Sequence, residues 1–502
     1  MKKFLDERGS MCAYDAALAR LGTPDESTLV QWFASGEGSA ACPETGNLKE
    51  WLDAARRSSG RPDGTSRLNA QFQGLRTNSA DLDMLELDGY VPLRGVLDAS
   101  TCESLRSAME VVVHAGFPPC FVYAFDDVWS LYADLHRTLF AKSDAVAQES
   151  DSDLLGMGFE CTHDVLSWFI DPHYRYDAEG FHPFDGSSKA SGAASDAEKA
   201  LSKNYFVSAC GFSPHRDRQP DDTSSCFFER RPMISRFQTI WIALTRATPT
   251  NSCLYMLPAH ADPGYYLGDT DAVDPLRRVF KEKADYQMLR AIPLEAGDAV
   301  LFGCRTMHWA ARPSRLPSWS EQRVAISFTF SHPSFEATYC PDQVHSTSAR
   351  KETSFSRIAL LCAQCLIYQD RFQLRVLDIL LFFKVFQVGV ECGVFSDSYC
   401  RSVMVETTAA LRAIFGSDEE ASEERTLKLT AGTPSQLLEE ANELYVQLVL
   451  DLQSEAEDDF VDDSSQGAEA DNEDNATHAK GVWSDNNVRQ KREREQSSED
   501  DE

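Results

Sequence analysis

Two histidines and one aspartate are the residues whose types and spacing predict metal chemistry in this sequence. His215 and Asp217 stand two positions apart in the run SPHRD. In an extended segment, residues two apart point to the same side, so both side chains can reach one ion while Arg216 faces away. His308 offers a third ligand, because it ends a short apolar stretch that follows a Gly-Asp turn. The three residues together predict a site for a divalent metal ion.

The choice of ligands has one rival within the sequence. Two histidines and one carboxylate with open coordination positions form the facial triad of non-haem Fe(II) oxygenases. His260 and Asp262 repeat the His-x-Asp spacing, but prolines and a glycine flank them and predict a turn. A turn does not hold the two side chains in extended register, so we prefer His215, Asp217 and His308 as the ligands.

An arginine downstream of His308 is a candidate anchor for a carboxylate. Arg323 begins the run RVAISFTF, whose alternation places the large apolar residues on one face and Arg323 with small and polar residues on the other. The planar fork of an arginine suits bidentate binding of a carboxylate, which a lysine cannot copy. A surface ion pair is the alternative for Arg323, and Arg312 and Arg315, nearer to His308 in a Pro-rich loop, stay open as anchors.

The elements that must position these residues are short strands followed by helices. Regularly spaced short strands between Pro, Gly and Asp turns predict a sandwich, a barrel or a jelly roll. The predicted strands are 205–209, 238–244, 252–257, 299–302 and 323–330. The predicted helices are 98–113, with Asp98 or Ser100 as N-cap, and 355–387, 402–415 and 435–452.

Composition divides the chain into regions of different character. Residues 1–80 predict an extension with helical pieces, 81–335 the β-rich domain, and 336–450 a helical C-terminal region. Residues 186–203 lack large apolar side chains and predict a surface insertion within the β-rich domain. From 451 to 502 there are 18 acidic and 5 basic residues, which predicts a disordered acidic tail.

Charge and cysteine usage restrict the classes of partner. The net charge of −31 repels phosphate backbones and anionic lipids, so we expect a small-molecule substrate rather than nucleic acid or a membrane surface. The 14 cysteines, with no signal peptide and no apolar run long enough for a bilayer, predict free thiols in a reducing compartment. We therefore expect a cytoplasmic protein, with a nuclear location as the alternative; the oligomeric state stays open.

The order of motifs resembles the phytanoyl-CoA dioxygenase family over about residues 85–335. The motifs that carry the resemblance are DGYVPLRGVL at 88–97, HRD at 215–217, WIALT at 241–245, NSCLYMLP at 251–258, Gly297-Asp298 before His308, and Arg323. The resemblance implies an α+β fold with a double-stranded β-helix, a cupin-like jelly roll, and flanking helices. It also implies that His215, Asp217 and His308 bind Fe(II), that Arg323 holds the distal carboxylate of 2-oxoglutarate, and that Trp241 lines the cosubstrate pocket.

The function implied by this resemblance is a 2-oxoglutarate-dependent dioxygenase. Such an enzyme uses Fe(II), 2-oxoglutarate and O2, hydroxylates a small organic substrate, and releases succinate and CO2. Related halogenases carry a small residue in place of the carboxylate, so Asp217 favours hydroxylation. The alternatives are a non-catalytic jelly-roll binding or scaffold protein and a cupin-type metal enzyme that does not use 2-oxoglutarate. An acyl-CoA substrate would require basic residues near the pocket, for which the sequence offers Arg216, Arg218, Arg230 and Arg231.

Overall fold

The computed structural model describes the central part of the chain. The described residues are 68, 79–114, 118–140, 157–171, 174–177, 180–183, 211–220, 222–229, 231–269, 275–314, 321–340, 351–372, 374, 376–414, 439 and 443. The predicted insertion at 186–203, the strand at 205–209 and the acidic tail lie outside these residues, as do nearly all of 1–80 and 435–452.

Helices and antiparallel strands are both present. The predicted strands 238–244, 252–257, 299–302 and 323–330 and the predicted helix 98–113 lie within two residues of observed elements. The predicted helix 355–387 is instead divided into three helices, and the helix predicted at 402–415 begins at Asp397. The helices are α1 (Ser79–Asp88), α2 (Ala99–His114), α3 (Asp126–Leu139), α4 (Pro263–Leu267), α5 (Pro275–Val279), α6 (Lys351–Ile367), α7 (Gln369–Phe372), α8 (Val376–Glu391) and α9 (Asp397–Ile414). The first eight strands are β1 (Tyr90–Leu93), β2 (Glu160–Cys161), β3 (Leu166–Ile170), β4 (Tyr174–Asp177), β5 (Gly180–Pro183), β6 (Phe227–Phe228), β7 (Arg231–Ser235) and β8 (Phe237–Ala243). The remaining strands are β9 (Leu254–Met256), β10 (Arg290–Ile292), β11 (Ala299–Gly303), β12 (His308–Ala310) and β13 (Arg323–Ser331).

Two antiparallel sheets hold the residues of interest. The major sheet runs in the order β1, β11, β8, β13, and both β2 and β3 pair with β13 beyond β8. The minor sheet has three strands in the order β10, β9, β12. The pairs β4–β5 and β6–β7 are separate hairpins. The predicted α+β class with antiparallel sheets is therefore confirmed.

The strand β13 is buried on both faces, and its alternation separates two cores. All nine of its residues are buried. Ile326 and Phe328 belong to the core that the major sheet forms with the helices, whereas Ala325 packs in a second core with Trp241 and with Met256 of the minor sheet. The two sheets therefore face each other across the second core, and the helices cover the opposite face of the major sheet.

Local interactions fix the start of α2, which follows β1, and the turn that leads into β11. Asp98 caps α2, because its Oδ1 accepts a hydrogen bond of 2.7 Å from the backbone N–H of Thr101. Gly297 has a φ of +89° in the turn before β11, and a Cβ there would collide with the backbone oxygen of Leu97. Asp298 accepts a hydrogen bond of 2.8 Å from the backbone N–H of Gly95, so this turn is fastened to the end of β1.

The C-terminal helices pack onto the same core as the sheet. Phe121, in a 3-10 turn before α3, lies 5.9 Å from Phe382 of α8, measured between ring centroids. Cys362 and Cys365 are buried in α6 among apolar residues, as their apolar helical pattern predicts. Within the described part of the chain, no helix combines the length and apolar character needed to cross a membrane.

Candidate metal centre and its cavity

His215 and His308 are brought side by side by backbone pairing at the edge of the minor sheet. The N–H of each residue donates a hydrogen bond of 3.0 Å to the carbonyl of the other. Residues directly opposite in an antiparallel pair project their side chains to the same face. The two imidazole rings accordingly lie 4.3 Å apart between centroids, although 93 positions separate them in the chain.

The backbone also fixes which ring nitrogen of each histidine can bind a metal. Nδ1 of His215 lies 2.8 Å from the carbonyl oxygen of Ser213, and Nδ1 of His308 lies 2.9 Å from that of Thr306. A carbonyl oxygen only accepts, so each Nδ1 carries the proton and donates it. Each Nε2 therefore presents its lone pair, which is the form of imidazole that binds metals.

The carboxylate of Asp217 completes the cluster. Its Oδ1 lies 3.8 Å from Nε2 of His215 and 3.6 Å from Nε2 of His308. Its Oδ2 accepts a hydrogen bond of 2.8 Å from Oγ1 of Thr239. Burial raises the pKa of Asp217, but the charge of the neighbouring imidazoles when they are protonated and the Thr239 hydrogen bond outweigh burial and hold the pKa below its usual range. The carboxyl group is therefore kept ionised between the histidines.

The donor set fits a divalent transition metal. One ligand atom from each of the three residues lies within 4.8 Å of the other two, which is the separation expected around a shared ion. Two neutral nitrogens and one anionic oxygen form the facial arrangement that suits Fe(II) and leaves further positions open. His215, Asp217 and His308 would hold the ion.

Arg216, between two of these residues, points the other way. Its side chain is fully buried and makes a bidentate ion pair with Asp262, with N–O distances of 2.6 and 3.0 Å. It makes a second pair with Asp269 at 2.7 and 3.0 Å and donates to the backbone oxygen of Arg305. Burial alone would lower the pKa of Arg216, and the two carboxylates raise it instead. The Arg216 guanidinium thus holds the segment that carries His215 and Asp217 by its ion pairs on the side away from the metal cluster.

A cavity of about 440 Å³ opens in front of the metal cluster. The five residues singled out by the sequence all line it: His215, Asp217, His308, Arg323 and Trp241. Arg323 and Trp241 reach it from neighbouring strands of the major sheet, which face the minor sheet there. Trp168, on β3, also lines the cavity.

Arg323 is a buried cation that lacks a full set of protein partners. Its side chain is 1% exposed, and within the described residues Nε and Nη1 have no hydrogen-bond acceptor. The guanidinium carbon lies 5.2 Å from the ring centroid of Trp241. Burial lowers the pKa of Arg323 to about 9. A buried guanidinium with unused N–H groups in a cavity fits a carboxylate ligand, because the anion would supply both the charge and the acceptors.

The rival residues lie elsewhere. His260 sits in a 3-10 turn and pairs with Asp88 at 3.0 Å, while Asp262 binds Arg216, so the turn predicted from the prolines and glycine is observed. Arg312 is exposed and does not line the cavity, and Arg315 lies outside the described residues.

The basic residues suggested for an acyl-CoA do not form a patch for phosphates. Arg216 is buried against Asp262 and Asp269, and Arg218 pairs with Asp164 and Glu336 at 2.9 and 2.6 Å. Arg230 lies outside the described residues, and only the backbone of Arg231 is described. The two arginines that flank Asp217 therefore serve internal ion pairs.

Sequence reasoning missed two groups of cavity residues. Thr239, which orients Asp217, lies two positions before Trp241 on the same face of β8, so period-two alternation offered a signal for it. A second group carries no local signal, because it comes from distant segments that meet only in the fold. It consists of Asp164, Glu336, Tyr339, Gln364 and Tyr368.

Comparison with known proteins places the cluster inside a recognised domain. Residues 85–314 match the family model described as phytanoyl-CoA dioxygenase. No protein with a curated description matches the chain.

Several solved structures resemble this one at low sequence identity. The non-heme alpha ketoglutarate dependent epimerase SnoN from nogalamycin biosynthesis is 15% identical; the alignment covers 50% of this chain and 82% of SnoN, with a TM-score of 0.28. HygX from Streptomyces hygroscopicus, solved with nickel and 2-oxoglutarate, is 11% identical; the alignment covers 51% of this chain and 87% of HygX, with a TM-score of 0.31. EvdO2 from Micromonospora carbonacea var. aurantiaca is 15% identical; the alignment covers 53% of this chain and 94% of EvdO2, with a TM-score of 0.29.

The family match and the geometry agree on one region. His215, Asp217 and His308 all lie within the matched range, and the motifs at 88–97, 241–245 and 251–258 lie there as well. The match to the phytanoyl-CoA dioxygenase family model over residues 85–314 therefore includes all three candidate metal ligands.

Proposed function

We propose that the protein is an Fe(II)- and 2-oxoglutarate-dependent dioxygenase that hydroxylates a small organic molecule. The observation that carries the proposal is the convergence of two imidazole Nε2 atoms and one carboxylate oxygen at the mouth of a cavity that also contains a buried, under-partnered arginine. The cosubstrates are 2-oxoglutarate and O2, and the products include succinate and CO2.

Each protein group in the cluster has a defined task. His215 and His308 donate their Nε2 lone pairs, and the carbonyls of Ser213 and Thr306 hold the rings in that tautomer. Asp217 supplies the anionic ligand through Oδ1, while Thr239 holds the other oxygen. When bound, the iron activates O2 with electrons from 2-oxoglutarate. The protein positions the reactants and limits access of water.

Arg323 is proposed as the anchor for the distal carboxylate of 2-oxoglutarate. Its planar fork can bind both oxygens of a carboxylate, and the ligand would satisfy the N–H groups that the protein leaves unpaired. Trp241 stacks near the guanidinium and would cover one side of the cosubstrate. This assignment separates the oxygenase from a cupin-type metal enzyme that does not use 2-oxoglutarate.

We further propose that the two facing sheets are the two halves of a double-stranded β-helix. The antiparallel pairing, the shared core and the metal cluster between the sheets support this architecture. We propose residues 81–335 as the oxygenase domain and 336–450 as a helical region packed on it. The net charge of −31 supports small-molecule substrates over nucleic acid or membrane partners.

The function is tested by anaerobic titration of the metal-free protein, first with Fe(II) and then with 2-oxoglutarate. A competent centre is expected to develop the visible metal-to-ligand charge-transfer absorption of a 2-oxoglutarate complex. The His215→Ala variant should lose the absorption, and the Arg323→Met variant should require more 2-oxoglutarate to reach it.

The controls separate the alternatives. The Arg312→Met variant changes an exposed arginine outside the cavity and should behave as the wild type. A folded wild-type protein that binds no Fe(II) would favour a binding or scaffold protein. Fe(II) binding without any response to 2-oxoglutarate would favour a cupin-type metal enzyme.

A further inference from the structure

One wall of the cavity combines Asp164 and Arg218 with segments beyond residue 314. The lining residues from these segments are Glu336 and Tyr339 before α6, Gln364 of α6, Tyr368 in the turn after α6, and Tyr399 and Ser402 of α9. These residues lie outside the range that matches the family, 85–314. The C-terminal helices therefore contribute side chains to the cavity from outside the range that matches the family.

The charged residues of this wall are engaged with one another. Arg218 donates to Glu336 at 2.6 and 2.8 Å, to Asp164 at 2.9 Å and to the hydroxyl of Tyr339 at 3.0 Å. Its remaining terminal nitrogen donates to the backbone oxygen of Asp217 at 2.8 Å. Nε and Nη2 of Arg218 are thus engaged by the two carboxylates and the Tyr339 hydroxyl, and its charge is balanced within the protein.

The balance of charge in the cavity is acidic. Among the described residues that line it, the carboxylates are Asp164, Asp217 and Glu336, and the guanidiniums are Arg218 and Arg323. Fe(II) and the dianion 2-oxoglutarate have opposite charges of equal size, so loading the centre leaves the excess of one negative charge in place. A carboxylate or phosphate on the substrate would be repelled, whereas a cation would be attracted.

One buried acceptor in this wall lacks a donor. Gln364 is 1% exposed, and its Nε2 donates a hydrogen bond of 2.7 Å to the hydroxyl of Tyr399. Its Oε1 has no partner among the described residues. A buried acceptor without a donor destabilises the protein, and a ligand N–H or O–H in the cavity would remove that cost. Gln364 thus points to a ligand that donates a hydrogen bond.

The rest of the cavity is suited to an apolar body. Phe212 and Trp168 lie in edge contact, 5.6 Å apart between centroids, and both line the cavity with Trp309 and Leu254. Aromatic and aliphatic side chains bind apolar ligand surface, and a few convergent polar groups fix its orientation.

We propose that the substrate is an amine with an apolar body, and that its protonated amino group donates a hydrogen bond to Oε1 of Gln364 within the acidic wall. The proposal rests on the proposed function, because it treats the cavity as the substrate pocket of the same metal centre. It makes Gln364 a specificity-determining residue supplied by the C-terminal helices.

The test uses three probes of equal length that differ only in the head group: octylamine, octanol and octanoate. The full-length protein is loaded anaerobically with Fe(II) and 2-oxoglutarate, and the dissociation constant of each probe is measured by calorimetry. Octylamine should bind tightest, octanol more weakly, and octanoate about tenfold or more weaker than the amine.

Substitutions of Gln364 test the contact itself. Gln364→Met removes the acceptor and should weaken octylamine about tenfold. Gln364→Glu keeps an acceptor, adds a negative charge, and should bind octylamine at least as tightly as the wild type. Gln387→Met changes a buried glutamine of α8 that does not line the cavity and should leave binding of the probes unchanged.

The outcomes distinguish this proposal from the proposed function. If the charge-transfer absorption forms but octanoate binds as well as octylamine, or none of the probes binds, the amine proposal is overturned and the oxygenase centre stands. Weaker binding of octylamine to Gln364→Glu than to Gln364→Met would also overturn it, because an anionic acceptor at the proposed contact should favour a protonated amine over an apolar side chain. Failure of the absorption in the wild type overturns the proposed function instead.

Discussion

Thr239 donates a hydrogen bond of 2.8 Å to Oδ2 of Asp217, and this contact leaves Oδ1 facing both histidines. The distances from Oδ1 to the two Nε2 atoms, 3.8 and 3.6 Å, are nearly equal. Thr239 lies on β8 in register with Phe302 of β11 and Thr329 of β13, in the interior of the major sheet. The orientation of the carboxylate is therefore set by the sheet opposite the histidines.

Thr239→Val is expected to weaken binding of Fe(II). Valine keeps the shape of threonine but removes the donor, so the Asp217 carboxylate would rotate more freely and its pKa would rise. Removal of such an orienting partner typically weakens metal binding about 10–100-fold. Anaerobic Fe(II) titration measures the change, and Thr239→Ser, which keeps the hydroxyl, should retain most of the affinity. Equal affinities for the valine variant and the wild type would contradict the orienting role.

Arg323→Met is expected to separate protein stability from cosubstrate binding. The substitution replaces a buried, under-partnered cation by an apolar side chain of similar length, so the apo protein should gain about 1–3 kcal/mol in unfolding free energy. At a concentration of 2-oxoglutarate a hundred times its dissociation constant, the loaded wild type should gain about 2.7 kcal/mol, and the variant should gain none.

Thermal unfolding with and without 2-oxoglutarate measures both effects of the Arg323 substitution. Arg323→Lys keeps the charge without the planar fork and should show an intermediate response. An unchanged response of Arg323→Met to 2-oxoglutarate would exclude this residue as the anchor.

Gly264→Ala is expected to disturb the metal centre through the buried ion pair of Arg216 with Asp269. A Cβ at this position would collide with Oδ1 of Asp269 and with Nη2 of Arg216, the two partners of a buried ion pair. The added methyl group should lower the unfolding free energy by about 1–3 kcal/mol and loosen the segment that carries His215 and Asp217. Denaturant unfolding and Fe(II) titration give the two readouts. Gly389→Ala is the control, because it adds a methyl group at a crowded position of α8, against Phe395 and outside the cavity. Gly393→Ala is less suitable as a control, because the φ of +68° at Gly393 would add backbone strain.

Glu336→Gln is expected to lower stability in a manner that depends on pH. Burial raises the pKa of Glu336, but Arg218 and the Tyr339 hydroxyl outweigh burial and bring it below its ordinary value of 4.5. A carboxyl group whose folded pKa is depressed stabilises the protein above its unfolded pKa, and that contribution is lost as pH falls through the folded pKa. The variant should be less stable than the wild type by about 2 kcal/mol at pH 7.

The pH profile provides the check on this ion pair. The difference in unfolding free energy between the Glu336→Gln variant and the wild type should stay constant from neutral pH down to about pH 5 and shrink below the ordinary glutamate value. Burial raises the pKa of Asp164, against the opposing effect of Arg218, so this carboxyl group has the opposite pH dependence. Both proteins retain Asp164, and the difference between them isolates Glu336. A difference that grows on acidification would contradict the assignment.

The sequence was informative where a residue's role depends on its immediate neighbours. Period-two alternation placed Arg323 and Ser327 on the face of β13 that lines the cavity, and it placed Ile326 and Phe328 toward the helices. The Gly-Asp turn before β11 and the cap of α2 follow from local chemistry in the same way. The same rule of alternation predicted that the side chains of His215 and Asp217 point to the same side.

The sequence could not identify residues that meet only through tertiary packing. Asp164, Arg218 and Tyr368 form one hydrogen-bonded network, yet they come from a loop before β3, the segment after the metal ligands and the turn after α6. No spacing rule connects positions so far apart. Asp298, part of the Gly-Asp turn that the sequence indicates, likewise binds Arg94 and Gly95 more than 200 positions away, and no local pattern predicts those contacts.

The alternate facing of His215, Arg216 and Asp217 fixes the register of this segment against the minor sheet. Adjacent side chains face opposite sides here, so the metal ligands and the guanidinium that fastens them share three consecutive residues. A one-residue slip of this triplet in its pairing with β12 would turn the Arg216 guanidinium toward the metal site and the Asp217 carboxylate toward Asp262 and Asp269. Both faces would then hold like charges together. Descendants of this sequence should therefore vary the length of the preceding loop freely while conserving the triplet as an indivisible unit.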